Sequence, residues 1–304
     1  MEIVNYEKNE MVKEKTAVAL GNFDGLHIGH QKLIKTMVSK GREKKLKSSV
    51  LLFKTHTKSI IRGNKRPKLL TSNNQKISLL ESIGVEMIYS MNFNKDIMQL
   101  SPRQFVEDIL VDKLNVKLVV VGFNYRFGHK AQGDSACLKK LGKEFGFEVI
   151  VVEPVYGEEL IISSTLIREL LSEGNIEKAN KFLGRPYEME GEVVEGNKRG
   201  KGLGFPTANI KLDKGYLVPK FGVYKSITIV DGKKYLSLTN VGKNPTFNDD
   251  DVSVESYILN FNNNIYGKKI SVKFIDFIRE EIKFNTREEL IAQMLKDVDN
   301  IKRI

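Results

Sequence analysis

Two stretches of this sequence gather the residue types that handle phosphates. The first is Gly21-Asn22-Phe23-Asp24-Gly25-Leu26-His27-Ile28-Gly29-His30, which follows an apolar run and opens an amphipathic segment. A helix beginning there presents unpaired backbone N–H groups and positive potential, the environment a polyphosphate needs. Glycines at 25 and 29 leave room for a nucleotide to approach closely. Two histidines three apart share one face of the first turn and can donate hydrogen bonds to phosphate oxygens. Reaction at an α-phosphate moves charge onto its equatorial oxygens and the departing pyrophosphate, so fixed donors and Mg2+ are the main requirements. A metal centre would need a third ligand and usually i, i+4 spacing, and the glycine-rich setting favours phosphate instead.

The second stretch is Gly196-Asn197-Lys198-Arg199-Gly200-Lys201-Gly202-Leu203-Gly204-Phe205-Pro206-Thr207-Ala208-Asn209. Its four glycines permit a backbone that closes tightly over phosphates. It is not a Walker A loop, because the GxxxxGK[ST] spacing is missing from the chain. In an extended segment Thr207 and Asn209 point to the same side, offering a hydroxyl and an amide oxygen. Such hard oxygens suit an Mg2+ that keeps waters and ATP phosphates as its other ligands.

The elements that must carry these stretches fall into two patterns. In the first half, Ala17–Leu20, Ser49–Phe53, Val85–Tyr89, Lys117–Val121 and Glu148–Val152 read as buried strands separated by helical segments. Gln31 to Lys40 is expected to be a helix stopped by Gly41. Ser72 with Gln75 and Ser101 with Gln104 form capping-box patterns, the second with Pro102 at the first helical position. Such alternation predicts a parallel sheet covered by helices, with ligands beyond the carboxyl ends of the strands. Two further helices, Ser164–Ser172 and Ile176–Leu183, end at Gly184-Arg185-Pro186, which is the expected boundary between domains 1–184 and 185–304. Beyond it, Glu188–Val194, Val223–Val230, Lys234–Val241, Val252–Leu259 and Lys269–Phe277 alternate as an antiparallel barrel, with Asp231-Gly232 as a hairpin turn. A final helix, about Thr286 to Val298, is capped by Thr286 with Glu289.

Composition limits the alternatives. The 304 residues suffice for two domains, and 41% apolar with 29% charged residues is an ordinary globular balance. Met1 to Glu10 is polar and acidic, unlike a signal sequence, and no apolar run approaches bilayer-spanning length. One cysteine, Cys137, rules out an internal disulfide and fits a reducing, cytoplasmic setting. The net charge of +11 raises nucleic-acid binding, but the basic residues are scattered along the chain and no aromatics interleave with a basic groove. The scattered charge suits attraction of anionic nucleotides.

His27-Ile28-Gly29-His30 matches the HxGH signature of the nucleotidyltransferases, and the whole string from Gly21 to His30 resembles the bacterial bifunctional riboflavin kinase/FAD synthetase family. Val121-Gly122-Phe123-Asn124-Tyr125-Arg126-Phe127-Gly128 and Ile162-Ser163-Ser164-Thr165-Leu166-Ile167-Arg168 resemble further motifs of that family. So do Pro206-Thr207-Ala208-Asn209, Asn240-Val241-Gly242, Asn244-Pro245-Thr246-Phe247 and Val254-Glu255-Ser256-Tyr257. The resemblance runs from about residue 16 to 302. It implies a Rossmann-like nucleotidyltransferase domain followed by a riboflavin-kinase β-barrel with a terminal helix, an α/β plus β architecture. It implies phosphorylation of riboflavin to FMN in the barrel and adenylylation of FMN to FAD in the first domain, each from ATP with Mg2+.

By the same resemblance, His27 and His30 stabilise the α-phosphate transition state, and Ser164, Thr165 and Arg168 hold the leaving pyrophosphate. Gly21, Phe23, Asp24 and Gly29 belong to that nucleotide site, and Asn124 touches the nucleotide or the flavin phosphate. Gly196, Arg199, Gly200, Gly204 and Pro206 line the kinase site, Thr207 and Asn209 hold Mg2+, and Glu255 accepts the proton of the ribityl hydroxyl. Two departures stand out. Leu166 occupies a position where the family usually has arginine. Phe53-Lys54-Thr55-His56-Thr57 replaces the family's Phe-x-Pro-His-Pro. The expected partners are small molecules only, with no nucleic acid and no membrane, for a monomer or weak homo-oligomer. The rival enzyme reading, another HxGH adenylyltransferase or an aminoacyl-tRNA synthetase fragment, leaves the Pro-Thr-Ala-Asn barrel without a use.

Overall fold

The computed structural model describes residues 1–5, 11–53, 68–196, 201–212, 215–243 and 252–303. His56, Arg199, Gly200 and the Asn244–Phe247 motif lie outside them. The chain divides into two compact units, one of Met1–Pro67 with Ser72–Ser163, the other of Lys68–Thr71 with Ser164–Ile304.

The first unit is built on a six-stranded parallel sheet. Its spatial order is Glu2–Asn5, Met87–Met91, Lys47–Phe53, Thr16–Leu20, Val116–Gly122, Glu148–Val152. Every residue of Thr16–Leu20 is buried, as expected of a central parallel strand covered on both faces. One face packs on the Ile28–Glu43 helix through Leu33, Ile34 and Met37; the other packs on Phe105, Val106, Ile109, Leu110, Leu138 and Leu141. From Thr16–Leu20 the chain adds strands on one side, then returns to add Val116–Gly122 on the other. The topological switch point therefore lies between these two strands, where an open α/β sheet forms its ligand crevice.

The helix that follows the first strand does not stop at Gly41, as its sequence suggests, but runs to Glu43. A Cβ at Gly41 would lie 3.1 Å from the Cβ of Ala17, so this glycine serves close helix–sheet packing rather than termination. Both capping boxes form as expected, at Ser72/Gln75 and Ser101/Gln104. The edge strand Glu2–Asn5 and the Ser135–Phe145 helix add to the elements read from the sequence.

The second unit contains a closed antiparallel barrel, in spatial order Tyr187–Val194, Thr207–Leu212, Val252–Ile258, Lys233–Lys243, Gly222–Val230, Lys269–Arg279. Asp231 and Gly232 turn the hairpin with φ of 49° and 78°, the left-handed pair that a two-residue hairpin requires. Inside the barrel, Ser226, Thr228, Ser237, Thr239 and Ser256 are fully buried. Their hydroxyls bond in a chain: Ser226 to Thr239 at 2.7 Å, Thr239 to Ser256 at 3.0 Å, Ser256 to Thr228 at 2.8 Å, Ser237 to Thr228 at 2.8 Å. A one-residue slip would expose these hydroxyls and bury their neighbours, so the network fixes the register. With Ser256 inward, Glu255 must face outward.

The Ser164–Glu173 and Ile176–Leu183 helices, which the sequence places ahead of the boundary, group by contacts with the barrel. Asn180 explains part of this: its amide donates to the Phe274 carbonyl at 2.9 Å, and its oxygen accepts from the Tyr187 amide at 2.7 Å. The Arg287–Arg303 helix closes the barrel's outer face by packing Ile301 with Val223, Leu238 and Leu259. Beneath it, fully buried Asp297 accepts from Arg279 Nε at 2.9 Å and Nη2 at 2.7 Å, and from Gln293 at 2.7 Å. Removing one partner of such a pair strands the other charge, so Asp297→Ala is expected to cost the second unit about 3 kcal/mol. Denaturant unfolding of the two proteins measures this. A loss below about 1 kcal/mol would mean that Arg279 relaxes to water.

Candidate functional site

The first constellation forms at the switch point. His27 is the N-cap of the Ile28–Glu43 helix, and its Nδ1 accepts from the His30 amide at 3.4 Å. An accepting Nδ1 leaves the ring proton on Nε2, which makes that atom a donor. No acidic residue occupies the first helical turn, so the helix itself places no carboxylate against the positive potential there. The His27 and His30 rings stack with centroids 3.7 Å apart, and His30 meets the edge of Phe23 at 5.4 Å. The chain reaches this arrangement through three positive φ angles, Phe23 at 47°, Gly25 at 79° and Leu26 at 40°. Such backbone persists only when packing over-determines it, and here the fully buried Phe23 and Leu26 supply that packing.

Two glycines of this turn have a specific neighbour. A Cβ at Gly21 would sit 2.9 Å from the Phe23 ring, and one at Gly29 would sit 3.1 Å from His27 Nδ1. His30 Nδ1 is buried and, alone among the buried side-chain nitrogen and oxygen atoms of the described residues, has no hydrogen-bond partner. Burial pushes the His30 imidazole well below the usual histidine range, and the His27 ring and the Lys76 ammonium push it the same way. The site thus holds a neutral ring with an unused nitrogen, the kind of orphan that native folds rarely leave without a ligand. Asp24 is buried under the turn. Asn124, after the Val116–Gly122 strand, is exposed. Its Oδ1 lies over Gly122, 3.6 Å from where a Cβ would be, with Leu33 of the histidine-bearing helix on the same glycine at 3.8 Å. The two loops flanking the switch point therefore bring His27, His30, Asp24 and Asn124 to one end of the sheet.

Ser164 and Thr165 begin the Ser164–Glu173 helix of the second unit. Arg168, one turn on, donates to the Ser164 carbonyl at 3.1 Å and to the Lys68 carbonyl at 2.9 Å. Its guanidinium is held by backbone, which fixes a cation at the helix start.

The second constellation lies on the barrel's outer face. Asn209 and Glu255 are directly opposed across neighbouring strands, and Thr207 is paired with Tyr257. Thr207 Oγ1 donates to Glu255 Oε2 at 3.2 Å, and Ser253 Oγ donates to Oε1 at 3.2 Å. Asn240 is opposed to Glu255 on its other side. A Cβ at Gly196 would fall 2.2 Å from Asn209 Nδ2, so that glycine makes room for the amide. Gly204 turns with φ of 85°, and Phe205 packs edge-on to Tyr257 at 5.2 Å ahead of exposed Pro206. The Thr207 hydroxyl meets the Glu255 carboxylate, and Asn209 stands opposite Glu255 on the neighbouring strand, so this face carries hard oxygen donors of the kind that fit Mg2+ sharing its shell with phosphates and water. No group of three or more His, Cys, Asp or Glu side chains able to hold a metal occurs among the described residues.

Sequence reading passed over Ser253 and Lys76. Ser253 shows itself only through strand alternation with Glu255. Lys76 carries a clearer signal, because Lys76, Leu80 and Ile83 fall at i, i+4 and i+7 on one helical face, and Lys76 is as buried as that pattern demands.

The family described as FAD synthetase matches residues 9–166, and the one described as riboflavin kinase matches residues 183–304. The bifunctional riboflavin kinase/FMN adenylyltransferase of Listeria monocytogenes is 42% identical over 283 residues, 92% of this chain and 89% of its own. That of Bacillus subtilis is 37% identical over 298 residues, 95% of this chain and 93% of its own. A solved Streptococcus pneumoniae structure, described as a macrolide-efflux protein, superposes with a TM-score of 0.92 at 32% identity and covers 100% of both chains. No described helix of the present chain is long and apolar enough to cross a membrane. With both family matches in order along the sequence and such identities over most of its length, the chain belongs to the bifunctional riboflavin kinase/FMN adenylyltransferase family.

Proposed function

We propose that this chain performs both reactions its family is named for and divides them between the two constellations. Riboflavin and ATP give FMN and ADP on the barrel's outer face. FMN and a second ATP give FAD and pyrophosphate at the switch point of the parallel sheet. The observation that carries the second assignment is the stacked His27–His30 pair at a helix N-terminus with no acid in its first turn, with one buried ring nitrogen still lacking a partner.

In the kinase step the primary ribityl hydroxyl attacks the γ-phosphorus of ATP, and Glu255 accepts its proton as the bond to ADP breaks. Thr207 and Asn209 would hold an Mg2+, which would supply charge neutralisation for the transferring phosphoryl group. Gly196, Arg199, Gly200, Gly204 and Pro206 shape the ATP-binding side. In the adenylyl step an FMN phosphate oxygen attacks the α-phosphorus of ATP, and the bond to the β-phosphate breaks. His27 and His30 donate to the oxygens that gain charge, while the turn formed by Gly21, Phe23, Asp24 and Gly29 fixes their positions. Asn124 orients the nucleotide or the flavin phosphate. Ser164, Thr165 and Arg168 hold the pyrophosphate, with Arg168 carrying more of that charge because Leu166 contributes none. The single cysteine suits a reducing, cytoplasmic setting.

Incubation with riboflavin and MgATP, followed by separation of the flavins over time, tests the reading. FMN appears first and FAD follows; protein that alters neither riboflavin nor added FMN refutes it. Gly196→Ala tests the barrel half more finely. The new methyl group displaces the Asn209 amide, so riboflavin phosphorylation is expected to fall about tenfold or more while FMN adenylylation stays at the parent rate. An equal rate of phosphorylation would show that Asn209 is not needed where it stands.

A further inference from the structure

Lys76 is the one buried lysine among the described residues of the first unit, only 7% exposed. Lysines are almost never buried to this degree without a reason, because removing an ammonium from water is costly. It sits in the first turn of the Asn73–Ser82 helix, which the Ser72–Gln75 capping box starts firmly. Its Nζ donates to the Asn22 carbonyl at 3.3 Å, inside the Gly21–His30 turn. Burial lowers its pKa, and the Asp24 carboxylate opposes that by favouring the charged form.

We propose that Lys76 is a positioning residue for adenylyl transfer, its ammonium bracing the Asn22–Asp24 backbone so that the turn presents His27 and His30 in register with the α-phosphate. The assignment rests on the allocation of FMN adenylylation to this turn. Three facts carry it beyond a packing role. First, an apolar side chain would fill the same space without the desolvation cost, so packing alone does not explain an ammonium. Second, the bond goes to the segment whose backbone leaves ordinary φ immediately afterwards, at Phe23, Gly25 and Leu26. Phe23 and Leu26 pack that segment from within, and the Lys76 bond ties it to a second helix. Third, the charge is felt at His30, where it works with burial to keep the ring neutral. The neutral ring retains the unpartnered Nδ1 described above.

A group that positions transition-state donors acts on kcat rather than on substrate binding. Lys76→Met keeps the length and the apolar stem. Lys76→Gln keeps a neutral donor of shorter reach, and it gives the same reading if the methionine protein does not fold. In either folded variant, kcat for FMN adenylylation is expected to fall about tenfold or more, since small misplacements of catalytic groups have effects of this size. The KM for FMN and for ATP should stay within about threefold of the parent, because ground-state binding is left in place. Riboflavin phosphorylation by the same protein should be unchanged and serves as the internal control.

A variant that loses melting temperature yet keeps the parent kcat would make Lys76 a structural residue and overturn the proposal. So would a rise in KM at constant kcat, which would place its effect in ground-state binding. If the unmodified protein phosphorylates riboflavin but cannot adenylylate FMN, the allocation itself fails, a result distinct from a failure confined to the Lys76 variants.

Discussion

Alanine at both His27 and His30 is expected to lower FMN adenylylation by at least about 10³-fold and to leave riboflavin phosphorylation at the parent rate. The size follows from what the pair supplies. Removal of one preorganised donor from a developing oxyanion costs about 10²–10³ in kcat, and the proposed assignment gives this turn two. The rings stack at 3.7 Å, and the N-cap bond runs from the His30 amide to His27 Nδ1, so they are not independent. Each single alanine should therefore cost nearly as much as the pair, in the way that groups acting as a unit do. Flavin separation after incubation with FMN and MgATP gives the first rate, and the same assay started from riboflavin gives the second. Loss of both activities in a folded double variant would mean that the two steps share a site. Retention of FAD synthesis would mean that the donors lie elsewhere.

The elements that position these groups were legible where local chemistry agrees with tertiary packing. Val116–Gly122 and Glu148–Val152 are compact apolar runs, and both lie in a parallel sheet. The Asp231-Gly232 turn is dictated by its two positive φ angles. The histidine turn was legible because glycines, histidines and a strand-to-helix junction coincide there. Other features depend on contacts distant in sequence. Gly41 resembles a helix stop in isolation, yet Ala17 of the adjoining strand makes it a packing residue. The Ser164–Leu183 stretch ends in a Gly/Pro cluster that marks a boundary locally. The side chain of Asn180, meeting Phe274 and Tyr187, ties that stretch to the barrel nonetheless. Lys76 sits on an apolar stripe, and only the fold reveals that its ammonium ends on Asn22, 54 residues earlier.

Glu255→Gln should do the reverse of the histidine replacements, abolishing most riboflavin phosphorylation while FMN adenylylation persists. Glutamine preserves the size and planarity of the side chain. Its amide oxygen can still accept from either Thr207 or Ser253, the two hydroxyls that now donate to the carboxylate at 3.2 Å. The other hydroxyl can turn to accept from the amide, so the strand pairing and the inward Ser256 network need not move. What glutamine cannot do is take the proton of an attacking alcohol. Positioned general bases contribute about 10²–10⁴ in rate, and kcat for FMN formation is expected to fall within that range. Under the proposed assignment the substitution leaves Thr207, Asn209 and the glycine-rich segment in place, so KM should change only a few-fold. Steady-state measurement of FMN from riboflavin, beside FAD from FMN as control, separates these terms. A glutamine enzyme that retained more than about a tenth of the parent kcat would assign the proton to water or phosphate instead. Glu255 would then be a residue that orders Thr207 and Ser253 without entering the reaction.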